Sequence, residues 1–302
     1  MTSARMNRIA IIGPGAIGGT VAAWLAQSKD NDITLCARTA VTSLEVQTPA
    51  GIIRATPRCL TDVEAAAALP SRDREFDWVL IATKAYDANA TARWLPALTT
   101  ARTRLAVLQN GVEHIERFAD YWPREKILPA VVECPAERIA PGKILQRRDA
   151  WMAVPQSPAG EAFAALFPVR SIEIRLTADF TTVAWRKLCL NAAGAVSAVV
   201  MKPAGIVHRD DIAELMRGLI RECIAVGRAE GAVLEETLVE EIIAGSRAGA
   251  PDSINSLLAD RLAGRPMEID ARNGVIVRRG ARHGIATPLN QLMVTLLNAA
   301  VA

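Results

Sequence analysis

Aromatic residues are scarce in this chain of 302 residues: Phe, Tyr and Trp make up 4% of it, with two tyrosines and five phenylalanines. Alanine, leucine and valine dominate instead, which favours a helix-rich α/β protein over a β-sandwich. Charge of one sign is lacking too. The chain carries 35 basic and 32 acidic residues, a net charge of +3, and its tight basic groups, Arg147-Arg148 and Arg278-Arg279, are short. A nucleic-acid partner needs a concentrated basic face, so none is expected. The five cysteines, Cys36, Cys59, Cys134, Cys189 and Cys223, are odd in number and too widely spaced for a metal or redox motif. They read as small apolar residues of a reducing compartment, and no metal site is expected. Long hydrophobic runs are missing as well. No apolar stretch reaches the about 18 residues that cross a bilayer. The run after Arg5 and Arg8 is broken by Gly13-Pro14-Gly15 and shows no good cleavage site. The expected setting is cytoplasmic, with no membrane partner.

The remaining composition, 51% hydrophobic and 22% charged, is that of an ordinary globular protein. The length suits one large or two medium domains. In the first half, short β-rich runs at 8–12, 33–37, 78–83, 105–109 and 127–133 alternate with helical segments at 18–27, 87–97 and 114–121. That alternation predicts a mostly parallel sheet with crossover helices. Short runs at 142–146, 151–154 and 172–176, separated by Pro and Gly, read as antiparallel strands closing the sheet, and the alanine run at 65–68 as a plain helix. Beyond about Asp179 the pattern turns helical. Helices are predicted at 181–200, 210–230, 234–244, 253–262, 268–283 and 289–299, with Gly231, Gly284 and Pro288 between them. The reading is therefore α/β: a Rossmann-type domain over residues 1–177, then an all-helical domain over 178–302.

The most specific local signal lies at the start. Arg8-Ile9-Ala10-Ile11-Ile12 runs into Gly13-Pro14-Gly15-Ala16-Ile17-Gly18 and then into a helical stretch. This is the dinucleotide-binding fingerprint in its required strand–turn–helix context. The first glycine makes the turn, the second lets backbone approach a pyrophosphate, and the third lets helix pack on strand. The helix N-terminus offers N–H groups and a partial positive charge. An NAD site places an acid about twenty residues further on, at the ribose 2′-hydroxyl. Here the second strand ends Leu35-Cys36-Ala37-Arg38-Thr39, without an acid. Arg38 is either a solvated surface arginine or a partner for the 2′-phosphate of NADP, which a planar guanidinium suits. The expected cofactor is NADP(H).

Lys84, directly after 79–83, and Asn110, before Gly111, each follow a predicted strand at its carboxyl end, where ligands of open α/β sheets bind. Either could be a plain turn residue. In the helical half, Lys187 and Asn191 lie four apart on one helical face among apolar neighbours. An ammonium and an amide there are costly to bury unpartnered. The alternative is a lysine reaching solvent beside a helix-surface asparagine. Ser256 lies within a predicted helix and Glu268 opens another, where a carboxylate also suits the helix dipole.

Taken together these patches resemble the ketopantoate reductases (2-dehydropantoate 2-reductases), over nearly the whole chain. The resemblance rests on Gly13-Pro14-Gly15-Ala16-Ile17-Gly18-Gly19, Thr83-Lys84-Ala85-Tyr86-Asp87 and Leu108-Gln109-Asn110-Gly111 in the first half. In the second half it rests on Trp185-Arg186-Lys187-Leu188 with Asn191, Ser256-Leu257-Leu258-Ala259-Asp260, Glu268-Ile269-Asp270 and Asn273-Gly274. It implies reduction of a 2-oxo acid by NADPH, with ketopantoate as leading substrate. It implies Lys187 as the general acid, Asn191 and Ser256 as substrate-positioning groups, and Asn110 between nicotinamide and substrate. Glu268 is implied near the nicotinamide ribose, where it could orient Lys187, and Arg38 and Lys84 at the 2′-phosphate. The chain also departs from the family: Ala195 and Gly205 stand where members often carry further substrate-binding asparagines. A site that hydrogen-bonds its substrate discriminates strongly. The same chemistry on a less hydroxylated or bulkier 2-oxo acid is therefore the competing reading, and a non-catalytic dinucleotide sensor is the reading of another class. A homodimer through an apolar face of the helical domain is one option, although the core needs that face too.

Overall fold

The computed structural model describes residues 6–70, 73–169 and 171–300. The chain divides into two compact units, one of residues up to 109 with 113–178, the other of 110–112 with 179 onward. The strands all lie in the first unit: β1 (Asn7–Ile12), β2 (Asn31–Cys36), β3 (Leu44–Thr48), β4 (Gly51–Ala55), β5 (Arg58–Leu60), β6 (Trp78–Ile81), β7 (Arg104–Val107), β8 (Ile127–Pro129), β9 (Val131–Glu133), β10 (Ala136–Ala140), β11 (Lys143–Gln146), β12 (Trp151–Pro155) and β13 (Glu173–Thr177). Its helices are α1 (Ala16–Leu25), α2 (Val63–Ala67), α3 (Ala88–Ala92), α4 (Leu95–Leu98) and α5 (Pro158–Ala164).

The main sheet has six parallel strands in the order β5-β2-β1-β6-β7-β8. The strand order reverses between β1 and β6, which makes the carboxyl end of β1 the switch point where such sheets take ligands. α1 starts there. It is buried on almost every side, from Gly18 through Ala23 and at Leu25, as its run of small and apolar residues requires. The reason is a second sheet, β10-β11-β3-β4, packed on its far side: Trp24 Nε1 donates to Gln146 Oε1 over 3.0 Å, and Gly19 leaves room for Ile144.

That second sheet corrects the sequence reading. The runs at 142–146, 151–154 and 172–176 do not close the main sheet. β11 pairs antiparallel with β10, as expected, but parallel with β3, and in a third sheet, β13-β12-β9, β12 pairs antiparallel with β9 and parallel with β13. The cause is visible at 127–133, expected as one strand. Pro129 ends β8, an edge strand where a missing N–H is tolerated, and the chain then crosses to β9 in the third sheet. The helix expected at 114–121 is a series of separate turns, anchored by fully buried Phe118 and by His114, whose ring nitrogen Nε2 lies 3.0 Å from the Gln109 carbonyl. The helix expected at 87–97 is likewise broken, into α3 and α4.

The second unit is helical: α6 (Phe180–Ala193), α7 (Ala195–Val200), α8 (Asp210–Ala229), α9 (Leu238–Ala248), α10 (Ser256–Leu262), α11 (Val275–His283) and α12 (Pro288–Ala299), with a π turn at Asp270–Gly274. Trp185, Leu188 and Cys189 of α6 pack on Met216, Leu219, Ile220 and Cys223 of α8. The span Phe180–Val200 is in fact long and apolar enough to cross a membrane, contrary to the first reading of the runs. It is nevertheless the packed centre of this unit, with 61% of its apolar window buried and Arg186 and Lys187 within it. Its expected continuity is broken at Gly194, whose carbonyl accepts from Asn255 Nδ2 (2.9 Å).

Candidate active site

The three fingerprint glycines do different work. Gly13 has φ +87°, and a Cβ there would stand 2.8 Å from Thr83 Cγ2 and 2.9 Å from the Thr83 nitrogen. A Cβ on Gly18 would stand 2.3 Å from the Gly13 oxygen and 2.9 Å from Ala82 Cβ. These two positions are closed by the protein itself. At Gly15, by contrast, no atom of the described residues beyond the adjoining backbone lies within 4 Å of where a Cβ would be. Gly15 caps α1 with no side-chain acceptor, and the first turn, which begins Ala16-Ile17, holds no acidic residue. The helix N-terminus after Pro14 and Gly15 thus keeps its field for an anion and presents no repelling charge. The cradle fits a dinucleotide pyrophosphate.

Neighbouring strand ends are tied to it. Gln109, quoted in the resemblance but given no role, is buried and donates from Nε2 to Thr83 Oγ1 (3.0 Å) and to the Lys84 carbonyl (3.2 Å). Lys84 is half-buried just past β6. Arg38 is exposed, two residues beyond the end of β2.

In the helical unit, Lys187 is half-buried on α6 and Asn191, one turn on, is buried. Asn191 Oδ1 accepts from Arg272 Nη2 at 2.7 Å. Glu268 is buried and accepts from Asn110 Nδ2 at 2.9 Å. The charge of Glu268 acts on Arg272, and with the two hydrogen bonds this links Asn110, Glu268, Arg272 and Asn191 into one polar constellation. Arg272 was not foreseen, although a Glu and an Arg at helical spacing are a readable signal. It sits in the π turn, where Gly274 N reaches back to the Ile269 carbonyl over 3.0 Å, a device frequent at functional sites. Burial pulls the Arg272 pKa down, while the charges of Glu268 and Asp260 hold it up.

The next residue, Asn273, donates from Nδ2 to Asn290 Oδ1 (2.9 Å), and Asn290 in turn donates to Glu222 (2.7 Å). A buried network of this kind fixes the π turn on the helices around it. Ser256 is exposed as the first residue of α10, and no hydrogen bond joins it to the constellation among the described residues. Its position depends on Asn255, also unforeseen, which caps α10 by accepting from Leu257 N and Leu258 N (both 3.0 Å) while holding Gly194. The two departures from the expected asparagines have structural counterparts. Ala195 is fully buried at the start of α7, and a Cβ on Gly205 would stand 2.9 Å from the Pro251 carbonyl oxygen.

A dinucleotide cradle at a sheet's switch point, carried in one chain with a lysine–asparagine helix and a buried carboxylate, defines an oxidoreductase that uses a nicotinamide dinucleotide. Residues 9–159 match the family model described as ketopantoate reductase PanE/ApbA, and residues 179–301 match the model of its C-terminal part. A 2-dehydropantoate 2-reductase of Caulobacter vibrioides is 58% identical over 295 residues, covering 98% of this chain and 99% of that protein. The solved 2-dehydropantoate 2-reductase of Geobacter metallireducens superposes with a TM-score of 0.89 at 27% identity, covering 97% and 99% of the two chains. A dimeric ketopantoate reductase of Staphylococcus aureus superposes with a TM-score of 0.85 at 25% identity, covering 97% and 98%. The chain belongs to the ketopantoate reductase family.

Proposed function

We propose that the protein reduces 2-dehydropantoate to pantoate with NADPH, residues 1–177 binding the nucleotide and residues 178–302 supplying the groups that act on the substrate. The observation that carries this reading is the Lys187–Asn191 pair on α6, a half-buried ammonium one turn from a buried amide already held by a cation. The reduced nicotinamide, when bound, supplies the hydride for the ketone carbon. Lys187 Nζ donates a proton to the ketone oxygen as negative charge grows on it, and the ammonium stabilises that charge. Asn191 and Ser256 orient the substrate. Asn110, bound to Glu268 through its Nδ2, keeps its own carbonyl oxygen for the cofactor or substrate. Glu268 serves at the nicotinamide ribose and orients Lys187. Backbone of Gly13, Pro14, Gly15, Ala16, Ile17 and Gly18 cradles the pyrophosphate, and Arg38 and Lys84 neutralise the 2′-phosphate. A homodimer, as in the S. aureus relative, is the assembly we expect.

One observation favours a second substrate within the same chemistry. Ala195 and the closed position at Gly205 remove amides that would hold substrate hydroxyls. A panel of 2-oxo acids with NADPH and NADH separates the cases. Ketopantoate with NADPH is expected to give the highest kcat/KM, and a higher value with a less hydroxylated acid reassigns the substrate. Lys187→Ala is expected to lower kcat by about 10²–10⁴ while NADPH binds as before. Turnover that survives this substitution removes the general-acid role from Lys187, whereas a wild-type protein that binds NADPH but reduces none of the acids leaves the sensor reading as the stronger one.

A further inference from the structure

Arg272 is only 4% exposed, yet its Nε and Nη1 have no hydrogen-bond partner among the described residues. A buried guanidinium with unsatisfied donors is costly, and such a group calls for a reason. Among the described residues its one side-chain hydrogen bond goes to Asn191 Oδ1. A guanidinium can only donate, so the amide cannot be flipped: the oxygen must face Arg272 and the nitrogen must face away. Asn191 Nδ2 makes no hydrogen bond among the described residues and is not among the sealed, unsatisfied atoms. Asn191 is the one amide side chain on α6, and α7 opens on Ala195.

We propose that Arg272 is a positioning residue that locks the Asn191 amide with its N–H donors toward the substrate, so that Asn191 recognises an acceptor oxygen of the 2-oxo acid, its ketone or carboxylate, and not a hydroxyl proton. This rests on Asn191 being a substrate group, as proposed above. Freed from Arg272, the amide could present either end, and part of its population would turn an oxygen toward an anionic substrate.

A double-mutant cycle on the full chain tests it, reading KM for the 2-oxo acid, kcat and NADPH affinity. Asn191→Ala is expected to raise KM about tenfold or more. Arg272→Met is expected to raise KM about tenfold, with NADPH affinity unchanged, and the double variant to be no worse than Asn191→Ala alone, because residues acting as one unit are not additive. Arg272→Lys, which still donates, is expected to recover part of the loss and keeps the test open if Arg272→Met folds poorly. Multiplying losses, or an unchanged KM in both Arg272 variants, overturns the proposal while leaving the substrate role of Asn191 standing. An unchanged KM in Asn191→Ala overturns that role itself, and the proposal with it.

Discussion

The two units build their sites from opposite materials. In the first, the cradle proposed for the pyrophosphate is backbone: a turn whose shape is set by Gly13 and Gly18 and whose opening is left by Gly15. In the second, the candidate groups are side chains from α6, the segment at Asn110 and Glu268, held by one another and by Arg272 of the π turn. A backbone site can separate folding from binding residue by residue. A side-chain network cannot do so as easily, because the atom that positions a ligand is also a partner of its neighbour.

The largest expected effect tests the first half of that contrast. Gly18→Ala puts a methyl against the Gly13 carbonyl at 2.3 Å, where backbone has to move. It is expected to destabilise the unliganded protein by about 1–3 kcal/mol. Gly15→Ala meets nothing within 4 Å. It is expected to leave the melting midpoint nearly unchanged and to weaken NADPH binding at least tenfold. Thermal unfolding without nucleotide and a binding titration check both, and a Gly15→Ala protein that binds NADPH normally would show that backbone approach at this glycine is not used.

The same contrast explains what could be read in advance. The glycine turn and the parallel sheet were legible because each is written in adjacent residues: a strand, a turn with fixed spacing, a helix. Lys187 and Asn191 were legible as a pair because four residues make a turn of helix. Arg272 and Asn255 were not, since their partners Asn191 and Gly194 are remote in sequence and only packing reveals them. Strands β3 and β4 were missed for a related reason. Leu44, Val46 and Thr48 do alternate inward, but their partners are α1 and β11, which the local pattern does not announce. The break in α6 at Gly194 likewise depends on a side chain arriving from the start of α10.

A medium effect falls on the first unit alone. His114 is fully enclosed there, and burial first, then the Arg117 charge, lowers its pKa from 6.5 to about 3. The folded state therefore binds this proton less readily than the unfolded chain. The stability is present above about pH 6.5 and is lost progressively as pH falls toward 3. At pH 5 the loss is about 2 kcal/mol relative to neutral pH. Denaturant titrations at pH 7.5 and 5 should show that difference between the wild type and His114→Gln, whose amide can still donate toward the Gln109 carbonyl. Parallel pH profiles for the two proteins would mean that His114 is not held neutral.

The smallest effect probes whether the helical unit really couples folding to its site. Asn255→Ala removes the acceptor for two N–H groups of α10 and the donor to the Gly194 carbonyl. The cap alone is worth about 1 kcal/mol. Because Ser256 follows directly, and Asn191 lies three residues before Gly194, the substitution is also expected to raise KM for the 2-oxo acid severalfold with NADPH affinity unchanged. Asn255→Asp divides the two effects. Aspartate caps as well as asparagine, so stability should return, but it cannot donate to the Gly194 carbonyl, so the KM defect should remain. If Asn255→Asp restores KM along with stability, the tie to Gly194 does not position the site, and the helical unit separates folding from binding as cleanly as the glycine turn does.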